Sequence, residues 1–494
     1  MLLTDLLTNL DSKLTNDIRS VTVTGLSSDT RQIKHGDLFF ALFGTKENGA
    51  HYITEAVAKG AAAIIHSADD LNLSTKVPLI RVTDTNQVLA EVAAKYYNHP
   101  SKSLYLAGVT GTNGKTTLTY LLEKLWHPDP AGVIGTVNTR YAGMNFESTH
   151  TTPDSISLNR ILKNMRKNGA ACVAIEVSSH ALDQKRAASL DFDLGIFTNL
   201  TQDHLDYHKD MESYYEAKRQ LFTEYLVKSS KASKLAVLNI DDAYGKRLAK
   251  EIQGLSVKTF SMTSAADMRL KSASFSFAGT KAEIVYQDQT YPLVTNLIGL
   301  HNLRNVMAAL LGALHRNSDL KGLLERLSQV TVPGRLERVS GKNYFVDYAH
   351  TPDALENVIR ALQEVRKESG AKSRLVTVFG CGGDRDRTKR PLMGKVAAEL
   401  SDVVLITSDN PRTEDPDKIV ADILPGVEGS KPKFDGNSGY LIEVDRAKAL
   451  ERAVQIATHD DIVLVAGKGH ENYQIIGTVK RHFDDREILA ELLK

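Results

Sequence analysis

The feature that most constrains how this chain folds is a glycine-rich segment around Gly111. The segment reads Thr110-Gly111-Thr112-Asn113-Gly114-Lys115-Thr116-Thr117. An apolar run that ends at Val109 precedes it, and apolar residues at helical spacing begin again at Leu118. This order predicts a strand, a loop and a helix, because the apolar pattern changes from a continuous run to a helical period.

The residues of this loop suit a phosphate group. Two glycines let consecutive backbone N–H groups point at one anion, at the positive end of the helix that follows. Lys115 supplies a cation, and Thr116 supplies a hydroxyl for Mg²⁺. The strict phosphate-loop pattern has glycine where Val109 stands, so the match covers the end of that pattern. The sequence predicts ATP binding by the loop residues Gly111, Thr112, Asn113, Gly114, Lys115, Thr116 and Thr117.

Length and charge bound the class of protein. At 494 residues, the chain has room for three domains of about 100 to 200 residues each. Its 61 lysines and arginines balance 60 aspartates and glutamates, so no overall field favours nucleic acid or a membrane surface. No apolar run approaches the ~20 residues of a membrane helix. We therefore expect a soluble protein with no nucleic-acid partner and no segment inserted in a membrane.

The cysteine content and the N-terminal residues predict a cytoplasmic location. Cys172 and Cys381 are too few for a disulfide framework or a four-cysteine zinc site, which suits a reducing compartment. The first apolar residues are soon interrupted by Asp11 and Lys13, with no basic region before them. We therefore expect no signal peptide.

The pattern along the chain predicts an α/β protein of three domains. Residues 1–99 hold short apolar runs separated by glycines. In residues 100–333 and again in residues 334–494, β-like runs alternate with helical patterns, which is typical of a parallel sheet with helices on its faces. We expect a central ATP-binding domain of the phosphate-loop type and a Rossmann-like C-terminal domain. The predicted strands of these two domains are Cys172–Val177, Leu194–Asn199, Leu235–Asn239, Leu375–Phe379, Val403–Thr407 and Ile462–Val465.

Glycine, charged residues and histidine follow most of these strands. Ligands of open parallel sheets lie beyond the carboxyl ends of the strands, so we expect a site there. The five segments concerned are Glu176-Val177-Ser178-Ser179-His180, Asp203-His204, Cys381-Gly382-Gly383-Asp384-Arg385, Asp409-Asn410-Pro411-Arg412 and Gly467-Lys468-Gly469-His470-Glu471.

Two of these segments suggest metal ligands. Glu176 ends an apolar run, where a carboxylate is costly to bury unless it is paired or bound to a metal. His204 and His208 are four residues apart, as in a helical zinc pair, but the glutamate expected directly after the first histidine is absent. From the residues alone, His204 is either a ligand of Mg²⁺ or a structural histidine that forms hydrogen bonds.

Two further positions allow both a structural and a functional interpretation. By its helical context, Lys218 would be a solvated lysine. Asn302 and Asn305, with His301, precede or begin an apolar helix over Val306–Leu314. They could be an N-cap and its neighbours, or they could hold an adenine ring.

Taken together, these segments resemble the Mur ligases, the ATP-dependent amino-acid ligases that build the peptidoglycan precursor. The resemblance runs over nearly the whole chain, and the segments occur in the order of the family. Besides Thr110–Thr117, the matching segments are Glu176–His180, Asn199–Asp206, Pro333–Glu337, Asp347–Pro352 and Asp409–Arg412.

The resemblance also implies roles for individual residues. It implies contacts to a UDP-muramoyl peptide for Ser28, Thr30, Thr45, Lys46, Glu47, Thr151, Thr152, Ser178, Gln184 and Arg186. It implies Mg²⁺ ligation by Thr116, Glu176 and His204. It implies catalytic roles for Lys115, Glu176, His204 and Lys218, the last as a carbamate. It implies nucleotide contacts from Asn302, Asn305, Arg335 and Asp347. It implies amino-acid binding by Arg385, Asp409, Asn410, Pro411, Arg412, Gly467 and Glu471.

The activity implied by the resemblance is ligation in two steps. ATP, with Mg²⁺, activates the terminal carboxylate of UDP-N-acetylmuramoyl-L-alanyl-D-glutamate as an acyl phosphate, and the amine of meso-diaminopimelate then displaces phosphate. By analogy we expect a monomer with a UDP-sugar domain over residues 1–99, an ATP-binding domain over 100–333 and an amino-acid-binding domain over 334–494.

Three other functions remain open from the sequence. The amino acid added could be L-lysine, within the same family. The chain could be a folylpoly-γ-glutamate synthase, although the segment Ser28–Tyr52 is unlike anything that a folate substrate needs. It could also be a switch protein that uses ATP for motion, but such a protein has no need of the residues around Asp409 and Arg412.

Overall fold

The computed structural model describes residues 1–10, 13–14, 17–44, 47–69, 71, 73, 75–370 and 372–494. Its strands are β1 Lys13–Leu14, β2 Gly25–Ser27, β3 Asp37–Ala41, β4 Ala63–His66, β5 Leu79–Arg81, β6 Tyr105–Thr110, β7 Ala131–Ile134, β8 Asn138–Tyr141, β9 Met144–Glu147, β10 Cys172–Glu176, β11 Leu194–Phe197, β12 Leu235–Asn239, β13 Ser256–Ser261, β14 Met268–Ser276, β15 Gly279–Tyr286, β16 Gln289–Thr295, β17 Glu337–Arg338, β18 Tyr344–Asp347, β19 Leu375–Phe379, β20 Val403–Ile406, β21 Gly439–Ile442, β22 Ile462–Ala466, β23 Tyr473–Ile476 and β24 Val479–His482.

The α-helices are α1 Leu3–Leu7, α2 Ile53–Ala58, α3 Thr85–Tyr96, α4 Lys115–Leu125, α5 Ser155–Lys167, α6 Ser179–Asp183, α7 Leu205–His208, α8 Met211–Gln220, α9 Ala243–Glu251, α10 Leu300–Leu314, α11 Leu320–Arg326, α12 Pro352–Ser369, α13 Lys389–Leu400, α14 Pro416–Glu428, α15 Arg446–Ile456 and α16 Asp485–Leu492. Short 3-10 segments lie at Thr30–Gln32, Gly49–Tyr52, Pro100–Ser103 and Leu327–Gln329, and a π-helical segment covers Leu221–Leu226.

The chain forms two compact units. The first comprises Met1–Gly108, Asp129–Gly195 and Ala217–Lys234, and the second comprises Val109–Pro128, Ile196–Glu216 and Leu235–Lys494. The division passes through β6 and β11, so each unit holds part of both strands.

The first unit contains two sheets. The smaller has the order β1-β5-β4-β3-β2 and is parallel except for β1. On one face of it Leu38, Phe40 and Ile65 pack with Val92 of α3. The other sheet runs β11-β6-β10-β7-β8-β9 within this unit, with β10 and β7 parallel and a β7-β8-β9 antiparallel meander at its edge.

The second unit continues from β6 and β11 to β12, β13, β14, β15 and β16. Strands β12, β13 and β14 pair in parallel, and β14, β15 and β16 form an antiparallel meander. A separate sheet has the order β17-β18-β22-β19-β20-β21 and is parallel from β18 onward. Both of its faces are covered, since Phe345 packs into one core and the next residue, Val346, into another.

Local chemistry explains why the C-terminal strands and helices form where they do. Strands β19, β20 and β22 are continuous buried apolar runs, as expected of parallel strands covered on both faces. Helix α12 begins where the Thr351 hydroxyl accepts a hydrogen bond from the Ala354 N–H, with Pro352 at the first helical position. It ends at Gly370, whose φ of 67° few other residues adopt without strain.

The predicted α/β class is confirmed. Strands Leu235–Asn239 and Leu375–Phe379 have the bounds predicted, and the other predicted strands differ by one or two residues at their ends. The N-cap interpretation at Asn302 and Asn305 is wrong. Helix α10 begins earlier, at Leu300, and its N-cap is Gly299, so both asparagines lie inside the helix. None of the helices in the described ranges combines the length and apolarity needed to cross a membrane.

Candidate active site

The predicted strand, loop and helix around Gly111 are present. Strand β6 ends at Thr110, and α4 begins at Lys115 after Gly114, whose φ is 90°. A Cβ atom on Gly111 would lie 1.8 Å from the Thr198 hydroxyl oxygen, and one on Gly114 would lie 2.3 Å from Asn305 Oδ1. Both positions therefore require glycine. Two of the loop N–H groups have protein partners, since that of Thr112 donates to the Asn199 carbonyl at 2.9 Å and that of Asn113 donates to Asn199 Oδ1 at 3.0 Å.

The two functional side chains of the loop have defined partners. Lys115 Nζ donates to the carbonyl oxygens of Gly111 and Thr112, each at 2.9 Å. The ammonium therefore lies over the loop and gives it positive charge. Thr116 is buried, and its hydroxyl accepts a hydrogen bond of 3.2 Å from Arg335 Nη2. Arg335, predicted as a nucleotide contact, is thus brought to the predicted Mg²⁺ ligand.

A cavity of about 200 Å³ adjoins the loop within the second unit. Asn113, Gly114 and Asn305 line it, together with His301 and Phe260. Burial, helped by the positive charge of Arg304, lowers the pKa of His301 to about 4, so the imidazole is neutral at pH 7. A neutral ring beside an aromatic side chain and amides suits a nucleobase.

Asn302 lies elsewhere. It is buried, and its Nδ2 donates to the Ile298 carbonyl at 2.9 Å, so it braces the start of α10 and is not among the residues that line the cavity.

Asp347 lies buried behind Arg335. It accepts hydrogen bonds from the N–H groups of Leu336 at 2.7 Å and Ala349 at 2.8 Å. Burial raises the pKa of Asp347 to about 6, against the opposing effect of Arg335. The Arg335 guanidinium also stands 4.8 Å from the centre of the Tyr348 ring. Asp347 therefore organises the turn that carries Arg335.

His204 has a constrained backbone and a carboxylate neighbour. Its φ is 55°, and Asp203 accepts a hydrogen bond of 3.0 Å from the His204 N–H and lies 3.4 Å from its Nε2. Burial alone would raise the pKa of Asp203, but nearby His204, His350 and Lys389 hold it at about 2. Asp203 is therefore an anion that fixes the His204 ring.

His208 does not join His204 in a metal cluster. The rings of His204 and His208 lie 6.1 and 5.1 Å from the ring of Tyr214. Within the described part of the chain, no group of three or more His, Cys, Asp or Glu side chains is arranged to hold a metal ion. The Mg²⁺ ligands predicted from the sequence are of a different kind: two side chains of these types, Glu176 and His204, and the Thr116 hydroxyl.

In the first unit, Glu176 is a buried carboxylate with two hydrogen bonds from one residue. Thr136 donates to it through its N–H at 3.0 Å and through its hydroxyl at 2.8 Å. The same hydroxyl lies 3.0 Å from that of Thr151. A Cβ atom on Gly135 would stand 2.2 Å from Glu176 Oε1, so the carboxylate requires glycine there.

Four of the predicted muramoyl-peptide residues of this unit form one network: Thr152, Ser178, Gln184 and Arg186. Arg186 donates to Gln184 Oε1 at 2.6 and 3.1 Å and to the Thr152 carbonyl at 2.8 Å. The Thr152 hydroxyl donates to the Glu176 carbonyl at 2.7 Å and accepts from the Ser178 N–H at 3.0 Å. Carboxylate, hydroxyls and guanidinium are thus held together, which is the combination needed for an anionic substrate beside a metal.

Lys218 is buried in α8, with 1% of its surface exposed. The interpretation as a solvated helix lysine is therefore wrong. A helix lysine is normally solvated, and only the packing of the folded chain around α8 buries this one.

The residues predicted at the uridine end are described in part. Thr30 is buried, Ser28 is half-buried and Glu47 is exposed, with Glu47 Oε2 accepting from the Tyr52 hydroxyl at 2.8 Å. Thr45 and Lys46 lie outside the described residues.

The loops after β19 and β20 and the hairpin β23-β24 meet at Arg412. Its Nη1 donates to the Gly383 carbonyl at 2.8 Å, which ties the loop after β20 to the loop after β19. Its backbone has a φ of 51° and is held by the hairpin β23-β24, through the Ile475 carbonyl at 3.1 Å and the Gly477 N–H at 2.7 Å. Arg385 is exposed and donates to the Asp384 carbonyl.

The same hairpin holds the two residues before Pro411. Gln474 Nε2 donates to the Asp409 carbonyl at 2.7 Å, and the Ile475 N–H donates to Asn410 Oδ1 at 2.9 Å. Asn410 Nδ2 in turn donates to Glu471 Oε2 at 2.9 Å. Gly467 stands beside them with a φ of 114°, and a Cβ atom there would lie 3.5 Å from Asp409 Oδ2. The predicted amino-acid residues are therefore brought together, with Arg385 at the exposed rim.

Several residues in these sites were not among the predictions. They are Thr136, Asp203 and Gln474, together with Asp353, which also lines the cavity, and Lys468, whose Nζ lies 3.2 Å from Glu471 Oε2. Asp203 and Lys468 lie in segments noted after strands, and the glycines on both sides of Lys468 were a usable signal of a tight turn. Thr136 and Gln474 carry no local signal, because their contacts depend on residues far away in the chain.

Three family models match the chain in succession. The Mur ligase family catalytic domain matches residues 22–97, the Mur ligase middle domain matches residues 109–313, and the Mur ligase glutamate ligase domain matches residues 334–469.

Individual relatives match over nearly the full length. A protein of Gloeobacter violaceus named UDP-N-acetylmuramoyl-L-alanyl-D-glutamate--2,6-diaminopimelate ligase is 44% identical, covering 97% of this chain and 95% of the relative. The protein of that name from Aquifex aeolicus is 42% identical, with coverages of 95% and 94%. A solved structure under the same name is 33% identical, has a TM-score of 0.69 and covers 97% of this chain and 96% of that one. This chain belongs to the Mur ligase family.

Proposed function

We propose that this chain is an ADP-forming ligase of the cytoplasm, acting in peptidoglycan precursor synthesis. It adds meso-diaminopimelate to the D-glutamate carboxylate of UDP-N-acetylmuramoyl-L-alanyl-D-glutamate. The observation that carries this proposal is the identity of 42 to 44%, over at least 95% of this chain, to relatives named for this pair of substrates.

ATP binding is assigned to the loop and the adjoining cavity. Gly111 and Gly114 let the phosphates approach the backbone, and Lys115 would turn from the loop carbonyls to the γ-phosphate. Asn305 lines the cavity for the base, and Arg335 is assigned to the nucleotide. Asn302 and Asp347, which were also predicted at this site, are assigned indirect roles: Asn302 braces the start of α10, and Asp347 braces the turn that carries Arg335.

Mg²⁺ is assigned to Thr116, Glu176 and His204. The oxygen donors among them suit this ion, and the buried Glu176 carboxylate is already oriented by Thr136. Bound Mg²⁺ would supply charge neutralisation on the phosphates. We assign Lys218, as a carbamate that would present an anion to Mg²⁺, to the same function, because of the family resemblance and because its side chain is buried.

The reaction balances in two displacements. A carboxylate oxygen of the D-glutamate attacks the γ-phosphorus and ADP leaves, which gives an acyl phosphate. The amine of meso-diaminopimelate then attacks the acyl carbon, and phosphate departs with that carboxylate oxygen while the nitrogen loses a proton. Holding three substrates in register supplies most of the rate enhancement.

The substrate contacts are proposed from the family resemblance, and the networks described above support those of the C-terminal loops and of Thr152, Ser178, Gln184 and Arg186. Arg412 is assigned to the far carboxylate of meso-diaminopimelate, with Asp409, Asn410 and Glu471 near its ammonium and Arg385, Pro411 and Gly467 around them. The UDP-muramoyl peptide is assigned to Ser28, Thr30, Thr45, Lys46, Glu47, Thr151, Thr152, Ser178, Gln184 and Arg186. We propose a monomer with domain boundaries near residues 99 and 333.

The test is ADP release measured with every combination of the muramoyl dipeptide and the candidate amino acids. We expect release only when ATP, the dipeptide and meso-diaminopimelate are all present. Release that needs a folate and L-glutamate, or that needs no amino acid, would replace this function by a folate ligase or by an ATP-driven switch.

A second experiment tests the acyl phosphate. When the D-glutamate carboxylate carries a heavy oxygen isotope, the released phosphate should contain one labelled oxygen per product. Unlabelled phosphate would mean that the carboxylate never attacks phosphorus.

A further inference from the structure

Lys468 is a buried cation at the centre of the C-terminal loops. It follows β22, and its side chain has no exposed surface. Its Nζ lies 3.2 Å from Glu471 Oε2, 3.4 Å from Asn410 Oδ1 and 3.8 Å from Asp409 Oδ1. A fully buried lysine is rare unless it is paired, and these three oxygens are the partners that compensate for the burial of Lys468.

Glu471 has its acceptor atoms engaged by the protein. Oε2 accepts hydrogen bonds from Asn410 and from Lys468, and Oε1 lies 3.4 Å from the Tyr473 hydroxyl. Burial and the nearby Asp409 charge raise the pKa of Glu471, and the Lys468 charge opposes both. Lys468 therefore stabilises the ionised form of this carboxylate.

Asp409 differs from Glu471 in the hydrogen bonds that its side-chain oxygens accept. Its backbone carbonyl is held by Gln474, and its side chain lies in the same buried cluster. Within the described part of the chain, Asp409 Oδ1 is buried and accepts no hydrogen bond. A buried acceptor without a donor is costly, and an ammonium from a ligand would satisfy it.

The balance of charges among Asp409, Glu471 and Lys468 also favours an ammonium at Asp409 Oδ1. Asp409 and Glu471 are two acids, and Lys468 is the base that lies 3.8 Å from the first and 3.2 Å from the second. The buried Arg446 also interacts electrostatically with these acids, but it is paired with Asp485 at 2.7 Å. An incoming ammonium makes two of each, and the atom open to it is Asp409 Oδ1. Without Lys468, the two carboxylates would repel each other, and Glu471 and Asn410 would lose a common partner.

We propose that Lys468 is a positioning residue for the amino-acid substrate, one that holds Glu471 and Asn410 in place and so leaves Asp409 Oδ1 to receive the substrate ammonium. The inference rests on the proposed function, and it concerns a residue that touches the binding groups and not the reacting atoms.

The test is the variant Lys468→Met, which keeps the length of the side chain and removes its charge. We expect KM for meso-diaminopimelate to rise about 10- to 100-fold, with KM for ATP and for the muramoyl dipeptide changed less than twofold. The matched control is Lys480→Met. Lys468 Nζ lies 5.4 Å from the centre of the Tyr473 ring, and Lys480 Nζ lies 4.1 Å from it, but Lys480 is exposed. This control should leave all three KM values unchanged.

A variant that retains the charge separates positioning from packing. Lys468→Arg should bind meso-diaminopimelate better than Lys468→Met does, and it serves as the test if the methionine variant fails to fold, with an expected KM within about tenfold of the wild type. Equal KM values for meso-diaminopimelate in wild type and Lys468→Met, or an equal rise in all three KM values, would overturn the proposal. Failure of the proposed function is distinguishable, because the wild type itself would then release no ADP with these substrates.

Discussion

Asn113 Nδ2 donates a hydrogen bond of 2.7 Å to Asp353 Oδ2, although 240 residues separate the two. Asn113 lies at the tip of the phosphate loop, and Asp353 lies in the first turn of α12. Burial raises the pKa of Asp353, and Thr201 Oγ1 stands 3.5 Å from the same carboxylate oxygen. The loop and α12 are therefore joined through a carboxylate that stands beside the proposed phosphate site.

Asp353→Asn tests this link. The amide oxygen still accepts from Asn113, but the negative charge that repels phosphate is gone. We expect KM for ATP to fall about two- to fivefold, with KM for meso-diaminopimelate unchanged. A tenfold rise in KM for ATP would instead mean that the carboxylate itself helps to bind the nucleotide.

Lys115→Ala should abolish ligation while the protein remains folded. The ammonium donates to two carbonyls of its own loop, so its loss should leave the fold in place, whereas a charge on the transferring phosphate is worth about 10³-fold or more in kcat. The control is Lys124→Ala at the other end of α4, which should keep kcat within twofold. A folded Lys115→Ala protein with normal turnover would remove the assignment of the loop.

Lys218→Ala should be nearly inactive and should regain part of its activity with an added short carboxylic acid. The acid would replace the carbamate anion in the space that the buried side chain leaves. Activity is measured with and without acetate, and Lys209→Ala, at an exposed lysine nearby, is the control. An active Lys218→Ala enzyme that ignores acetate contradicts carbamylation.

Asp347 should make stability depend on pH between about 4 and 6. Its pKa is about 6 in the folded chain because of burial, against about 3.9 when unfolded. In this window the folded state binds more protons, so this residue's contribution falls by about 3 kcal/mol as pH rises, and below pH 4 it is fully present. Relative to the wild type, Asp347→Asn should therefore gain about 5 °C in Tm between pH 4 and pH 7. A constant Tm difference would contradict the raised pKa.

Features encoded within a few residues were predictable from the sequence. Gly-Lys-Thr after an apolar run placed the strand, loop and helix around Lys115, and continuous apolar runs placed β12 and β19. The start of α10 was missed because Gly299 caps that helix with its backbone and no side-chain hydrogen bond, so the capping residue expected from sequence is absent.

Features that depend on distant segments were not predictable. The burial of Lys468 needs three loops and the hairpin Tyr473–His482 to meet. The left-handed backbone conformation of Arg412 is held by that hairpin, and the neighbouring residues in the sequence do not predict this conformation. The roles assigned to the site residues were reached through the family resemblance, since a lone lysine such as Lys218 is solvated in most helices.

Arg412 should decide which amino acid is added. Meso-diaminopimelate carries a second carboxylate that L-lysine lacks, and a desolvated arginine without its anion disfavours lysine, by up to about 10⁴-fold in kcat/KM. Arg412→Ala should lose most activity on meso-diaminopimelate, and Arg412→Lys should recover little because it cannot form a bidentate pair. Arg481→Ala, on the exposed strand β24, is the control. Full activity of Arg412→Ala would contradict the assignment of Arg412 to the far carboxylate of meso-diaminopimelate.

The central claim is tested most directly by competition between the two amino acids. The wild-type protein is given ATP, Mg²⁺, UDP-N-acetylmuramoyl-L-alanyl-D-glutamate and equal amounts of meso-diaminopimelate and L-lysine, and the products are identified by mass. We predict the meso-diaminopimelate adduct alone, with one ADP formed per adduct. A lysine adduct in comparable amount, or ADP without any adduct, would contradict the account.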